Sequence, residues 1–440
     1  MSVNEQPLRL SQIFAFFLPL SVAACLVTVS HLIISSTLAR SANPQIVIAA
    51  YAIAISLMGI VERPAVLLRQ TCSRLVSDRR SFRSMAIVTT LVIIGIVSLG
   101  LIIAYTHLGV FIFRRFFGVD DALVKPILDI YRILMFVGIF SGLRGLFQGI
   151  IISNRQTKWL TVGMVIRLAV MYMLSVYFIR TDQVSSGKIG AIIFFTGMAI
   201  ECAVSIILGV RVLKRLKLAD TNRPAVSQKH IFRFYQPLLY SSIIAVSIEP
   251  LTNALLGRTN NIELSIASFA IAASLTNLIT SLVSYSHQIV LNFYNVDRKK
   301  ARQFIQLASL IPLLIMALLC YTPLGLWVMH YIMGIDQLLM NESLKILRIF
   351  MIFAFVFPWL DYCNGLVMLS GRTKIMLLSQ SSNVLMTFGI LIFCIMFFPH
   401  LNGMIGSLAQ SIGMLSEISV VLLVMRLSKI KLNELPLNGN

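Results

Sequence analysis

Apolar residues run along this chain in blocks of about 20, the length a helix needs to cross the hydrocarbon core of a bilayer, and polar residues collect between the blocks. The blocks fall near residues 12–37, 45–68, 85–107, 126–152, 158–180, 187–210, 231–257, 262–290, 303–330, 343–369, 375–398 and 402–426, which predicts twelve transmembrane helices and an all-α polytopic membrane protein. The first block is longer than a signal-peptide core and lacks a small-residue cleavage site, so it reads as a retained helix.

The blocks repeat. IFAFFLPL at Ile13 matches IFRFYQPL at Ile231, and the same offset of 218 aligns IAAYAIAISL (48–57) with IASFAIAASL (266–275) and Gln70 with Gln288. At an offset of 216, GKIGAIIFFTGMAIE (187–201) aligns with GMIGSLAQSIGMLSE (403–417). Six predicted helices separate the paired elements, an even number, so both halves take the same orientation and form a parallel internal repeat. The expected organisation is an N-terminal six-helix lobe over 1–210, a polar cytoplasmic linker over 211–230 and a C-terminal six-helix lobe over 231–440.

Composition agrees with this plan: 58% of residues are hydrophobic and only 12% charged, too few charges for a soluble chain of this size. The net charge of +20 raises nucleic acid as a partner, but its distribution argues against one. Lys and Arg crowd alternate loops, as in Arg69–Arg83, Arg211–Arg233 and Arg298–Arg302, which is the positive-inside bias with both termini in the cytoplasm. These loops are expected to face anionic lipid headgroups. The six cysteines are dispersed with no CxxC spacing, so neither a disulfide framework nor a metal site is indicated, and no phosphate loop, nucleophile elbow or HExxH motif suggests an enzyme.

Charges inside the spans are the candidate chemistry, because a charge at the bilayer centre costs roughly 2.5 to 3.5 kcal/mol on insertion scales and persists where it pairs or binds something. LMGIVERPAVLL (57–68) sets Glu62 and Arg63 side by side on a helix, where neighbours in sequence do not face each other, followed by Pro64 and an expected kink. The same half holds His31, Arg144 with Gln148 one turn later, Arg167 and Glu201; the other holds Glu249, Asn253, His287, Asp361, Asn364, Asn383 and Glu417. Guanidinium groups bind carboxylate and phosphate through paired hydrogen bonds, so Glu62, Arg63, Arg144, Gln148, Arg167 and Asn253 form the expected substrate site for a small anion. The alternative is that Arg144 and Arg167 form salt bridges with Glu62, Glu201 or Asp361 and bind no ligand. Glu249 and Asp361 break the internal symmetry, falling where the first half has His31 and a less polar segment, and His31, Glu249 and Asp361 are the expected coupling residues for Na+ or H+, with no other cofactor. Glu201 and Glu417 recur at equivalent positions after Gly190–Gly197 and Gly406–Gly413, and read as shared architecture at close helix contacts.

The FFLPL and FYQPL helix starts and the IGA and IGS turns resemble the multidrug/oligosaccharidyl-lipid/polysaccharide flippase superfamily, with its fold like that of the multidrug and toxic compound extruders. AAYAIAISLM with Pro64 and the DRR loop, RFYQPLLYSSI, LSGRTKIMLL and FFPHLNGMIGSLAQSIGMLSE are most similar to the progressive ankylosis protein family. The resemblance implies a V-shaped, two-lobe transporter with a central cavity, and for ankylosis-like members the export of small organic or phosphorylated anions. Drug extruders of the superfamily couple to sodium or protons through acids in the lobes, and those motifs do not transfer residue by residue. The expected function is therefore a monomeric secondary-active anion exporter of a bacterial inner or plasma membrane. The alternatives are a flippase for a lipid-linked pyrophosphate precursor, a cation-coupled multidrug extruder and a non-transporting membrane scaffold.

Overall fold

A computed structural model describes residues 8–117, 121–216, 218, 226–256, 259, 262–332 and 337–427. The protein is all-α, and ten helices among the described residues are long and apolar enough to cross a membrane. The helices in chain order are α1 (Leu10–Leu38), α2 (Pro44–Leu75), α3 (Arg79–Tyr105), α4 (His107–Phe111), α5 (Asp121–Leu134), α6 (Val137–Ser153), α7 (Lys158–Arg180), α8 (Gly187–Arg215), α9 (Gln228–Leu256), α10 (Ile262–Ser281), α11 (Ser286–Phe293), α12 (Arg298–Tyr321), α13 (Pro323–Trp327), α14 (Gln337–Leu369), α15 (Lys374–Phe397) and α16 (Met404–Leu427). Large apolar side chains such as Leu91, Tyr172, Leu314, Leu385 and Leu423 are exposed on the outer faces, the surface that a bilayer covers. This is an integral, multi-pass membrane protein.

Contacts gather the chain into two compact units: an N-terminal unit, Val22–Leu239, and a C-terminal unit made of the described residues of Met1–Ser21 and Tyr240–Asn440. Each has its own core. In the first, Ile127, Tyr131, Val137, Met171 and Ile193 are buried together; in the second, Phe269, Met316, Leu347, Phe350 and Leu391 are. The division falls inside α1 and α9. Phe16 accordingly meets Phe293 edge to face at 5.1 Å in the C-terminal unit, while Tyr235 donates a hydrogen bond of 2.8 Å to the Pro64 carbonyl in the N-terminal unit. Of the stretch expected as a linker, Arg211–Arg215 extends α8 and Gln228–His230 opens α9, while residues 217 and 219–225 lie outside the described residues.

Two spans expected as single helices are divided. The 126–152 block is split at Met135 and Phe136 into α5 and α6, and the 262–290 block at 282–285 into α10 and α11. The second break has a local cause. Thr280, Ser281, Ser284 and Ser286 each turn a hydroxyl onto a carbonyl three or four residues back, at 2.6–2.9 Å, competing with the helical ladder for those acceptors. Helix starts are set by side-chain caps: Asp78 accepts from Ser81 N at 2.7 Å and Asp297 from Lys300 N at 3.0 Å, while Thr106 and Thr322 do the same for α4 and α13. Pro64 lies inside α2, which continues unbroken to Leu75.

Candidate functional site

In the N-terminal unit the buried charges converge on Glu201 of α8. Gly197, one turn earlier, lets α7 approach: a Cβ there would stand 2.7 Å from Met171 Cγ and 3.3 Å from Arg167 Cγ. That approach brings Arg167 Nη1 to Glu201 Oε2 at 2.9 Å, and Arg144 Nη1 from α6 donates to the same oxygen at 2.7 Å. Gln148 Nε2 fills the other oxygen at 3.1 Å. Arg167 is 2% exposed and Glu201 3%. The network runs on through Arg144 Nη2, 3.4 Å from the Ser141 hydroxyl, which in turn donates to Glu62 Oε1. Arg167 also lies over the Phe194 ring at 5.2 Å, and His31 stacks on that ring at 5.7 Å. Two carboxylates thus face two guanidiniums, and each buried charge has an opposite charge to compensate its desolvation. Arg63, half-buried beside Glu62, makes no ion pair or hydrogen bond among the described residues.

The C-terminal unit has a different centre. A cavity of about 290 Å³ is lined by Glu249 of α9, Asp361 and Asn364 of α14, Gln380 and Asn383 of α15, and Gln410 and Glu417 of α16, with Phe353 and Phe357 stacked on one wall at 6.2 Å. Among its described lining residues three are carboxylic acids and none is Lys or Arg. Asp361 is held at the break between α10 and α11, where the first-turn amide of α11 has no partner within its own helix: His287 N donates to Asp361 Oδ2 at 2.8 Å and the imidazole Nδ1 lies 3.0 Å from the same oxygen. Glu417, 4% exposed, accepts a single amide hydrogen bond from Asn383 Nδ2 at 2.6 Å. Gly413, one turn before it, leaves room for the Asn383 and Thr387 side chains where a Cβ would collide with both. Glu249 is exposed and has no ion pair or hydrogen bond among the described residues, and the buried Asn364 Oδ1 has no hydrogen-bond partner there.

The structure therefore brings Glu62, Arg144, Gln148, Arg167, Glu201 and His31 into one network, leaves Arg63 beside it, and gathers Glu249, Asp361 and Glu417 around a separate cavity. The side chain of Asn253 lies outside the described residues. Ser141, which bridges Glu62 to Arg144, and Gln380 and Gln410 were not singled out in the sequence. A signal for the last two exists: Gln380, Asn383 and Thr387 follow i, i+3, i+7 spacing on α15, and Gln410 lies two turns before Glu417 on α16, so each set shares a helix face. No group of three or more His, Cys, Asp or Glu side chains placed to hold a metal ion occurs among the described residues.

Comparison with known proteins places this geometry in a fold. Residues 8–183 match the family described as Progressive ankylosis protein (ANKH). No curated protein matches. Among solved structures, the chain is similar to a MATE transporter in its straight conformation, with 19% identity, a TM-score of 0.73 and coverage of 96% of this chain and 97% of that one. It is also similar to the Vibrio cholerae MATE transporter VcmN in the bent form, with 14% identity, a TM-score of 0.72 and coverage of 96% and 98%. A MOP superfamily transporter from Pyrococcus furiosus, described as having a binding pocket of reverse polarity that suggests a different function, matches with 16% identity, a TM-score of 0.69 and coverage of 96% of each chain. The chain has the fold of these MATE structures, and residues 8–183 match the ankylosis family.

Proposed function

We propose that this chain is a secondary-active transporter working by alternating access, which extrudes amphipathic organic compounds in exchange for a cation, H+ or Na+, taken up in the acidic cavity of the C-terminal unit. The observation that carries this reading is the distribution of charge. Two of the three arginines expected to grip an anion, Arg144 and Arg167, are bonded to Glu201, whereas Glu249, Asp361 and Glu417 line a cavity with no Lys or Arg among its described lining residues. Clustered carboxylates repel one another when ionised, and a proton or a sodium ion relieves that repulsion. Such an ion drives transport if it binds the two access states with different affinity, because the coupling free energy is that difference. The stacked pair Phe353 and Phe357 supplies an apolar wall for the cargo. This reading takes the expected twelve-span plan, with lobes at 1–210 and 231–440 related by a parallel repeat, as the body that rocks between states. The protein acts as a monomer with its basic loops toward the anionic leaflet.

Export of a small anion is the second reading, favoured by the match of residues 8–183 to the ankylosis family and by Arg63, which lacks an ion pair among the described residues. In it Glu62, Arg63, Arg144, Gln148, Arg167 and Asn253 contact substrate, and His31, Glu249 and Asp361 take the coupling ion. Proteoliposomes separate the two. With an imposed pH or sodium gradient, the first reading expects uptake of a fluorescent organic cation and none of labelled citrate. Gradient-driven citrate movement that is abolished by Arg63→Ala, with no movement of the organic cation, would overturn it in favour of the second.

A further inference from the structure

The transport reading leaves a second and larger cavity unused. It measures about 560 Å³ and lies in the C-terminal unit, where the start of α12 meets the C-terminal third of α14 and the end of α16. Arg298, Lys299 and Arg302 enter it from the first two turns of α12, Arg426 closes it from the last turn of α16, and no carboxylate among the described residues lines it. Its remaining walls are aromatic and aliphatic. Tyr294 and Tyr362 meet at 6.5 Å, Trp359 sits 6.4 Å from Tyr362, and Arg298 is laid over the Tyr294 ring at 5.4 Å, which fixes one guanidinium at the cavity wall. Leu422, which also lines the cavity, is half exposed and continues into the apolar outer face at Leu423.

We infer that this cavity is a binding site for a phosphate-bearing anion, and that the phosphate is the headgroup of an anionic phospholipid of the cytoplasmic leaflet. Four cations converging on a cavity that no carboxylate among the described residues lines match a phosphodiester, whose oxygens accept charge-assisted hydrogen bonds from guanidinium and ammonium groups. The cavity is several times larger than a phosphate ion, and its aromatic and leucine walls match the glycerol and the first methylenes of an acyl chain. Its cations belong to the start of α12 and the end of α16, the side that the positive-inside bias assigns to the cytoplasm, where anionic lipid concentrates. The site is separate from the acidic cavity and does not depend on which cargo is carried.

The test uses the full-length protein purified in neutral detergent, with native mass spectrometry to read retained lipid and thermal unfolding to read stabilisation. The probes are micelles containing phosphatidylglycerol, micelles containing phosphatidylcholine, and sodium phosphate against sodium chloride at equal ionic strength. Phosphatidylglycerol is expected to be retained and to raise the unfolding midpoint, with phosphatidylcholine and phosphate giving little change. The double substitution Arg298→Gln with Arg302→Gln is expected to weaken phosphatidylglycerol binding about tenfold or more, since removing a charge-assisted hydrogen bond weakens binding by roughly a factor of ten. Arg426→Gln, at the opposite wall and on an exposed side chain, gives the same direction of change should the double variant fail to fold. If phosphate alone stabilises as strongly as the lipid, and Arg426→Gln removes that effect, the ligand is a free phosphate and the lipid assignment falls. Equal retention of the two lipids, or unchanged binding in both variants, overturns the site.

Discussion

Glu201 and Glu417 close the same stretch of sequence in two helices, yet they end in opposite electrostatic settings. Glu201 receives two guanidiniums and an amide, and its charge is spent holding α6, α7 and α8 together. Glu417 receives one amide, from Asn383, and faces a cavity shared with Glu249 and Asp361. The difference lies in the neighbouring helix: α7 offers Arg167 where α15 offers Asn383. A repeated acid is therefore architecture in one unit and available chemistry in the other, and the partner decides which.

The largest expected effect breaks that comparison directly. Glu201→Gln removes the carboxylate that Arg144 and Arg167 share and leaves Glu62, reached through Ser141, as the remaining acid of the network; removing one partner of a buried ion pair costs about 3 to 5 kcal/mol, so the variant should lose much of its thermal stability in detergent. Glu417→Gln keeps an acceptor for Asn383 and should change stability by about 1 kcal/mol or less. Equal loss in both would mean that the two acids do the same work. Gly413→Val drives a side chain into Asn383 and Thr387, an overpacking expected to cost about 1 to 3 kcal/mol, with transport impaired because the Asn383 hydrogen bond to Glu417 is displaced. Smaller still, Thr322→Ala removes the cap of α13 at a position remote from either acid. A loss of about 1 kcal/mol in thermal unfolding with transport unchanged is expected, as for other helix caps.

Much of this was legible in the sequence. The apolar blocks gave the helices, and the intramembrane charges gave most of the residues that line both centres. Partner choice was not legible: the alternative that Arg144 and Arg167 are tied to acids was visible, but only the approach of α7 at Gly197 selects Glu201 as their common acceptor. The break at 282–285 escaped a reading based on hydrophobicity because it contains neither Pro nor Gly. Its cause, hydroxyls competing for backbone carbonyls, is written in the serines and threonine around it. The break at Met135 and Phe136 has no such explanation in the residues flanking it. Arg298, Lys299 and Arg302 read as topology signals because a linear sequence does not show that Arg426 and three aromatic rings meet them across a cavity.

The central claim is that the acidic cavity of the C-terminal unit couples transport to a cation. Gradient-driven and gradient-free movement of a fluorescent organic cation, measured in proteoliposomes for wild type, Asp361→Asn and Glu417→Gln, tests it most directly. The account predicts that both variants still exchange the probe at equilibrium but no longer accumulate it against a gradient when pH or sodium is stepped. Accumulation at the wild-type level in both variants would contradict it.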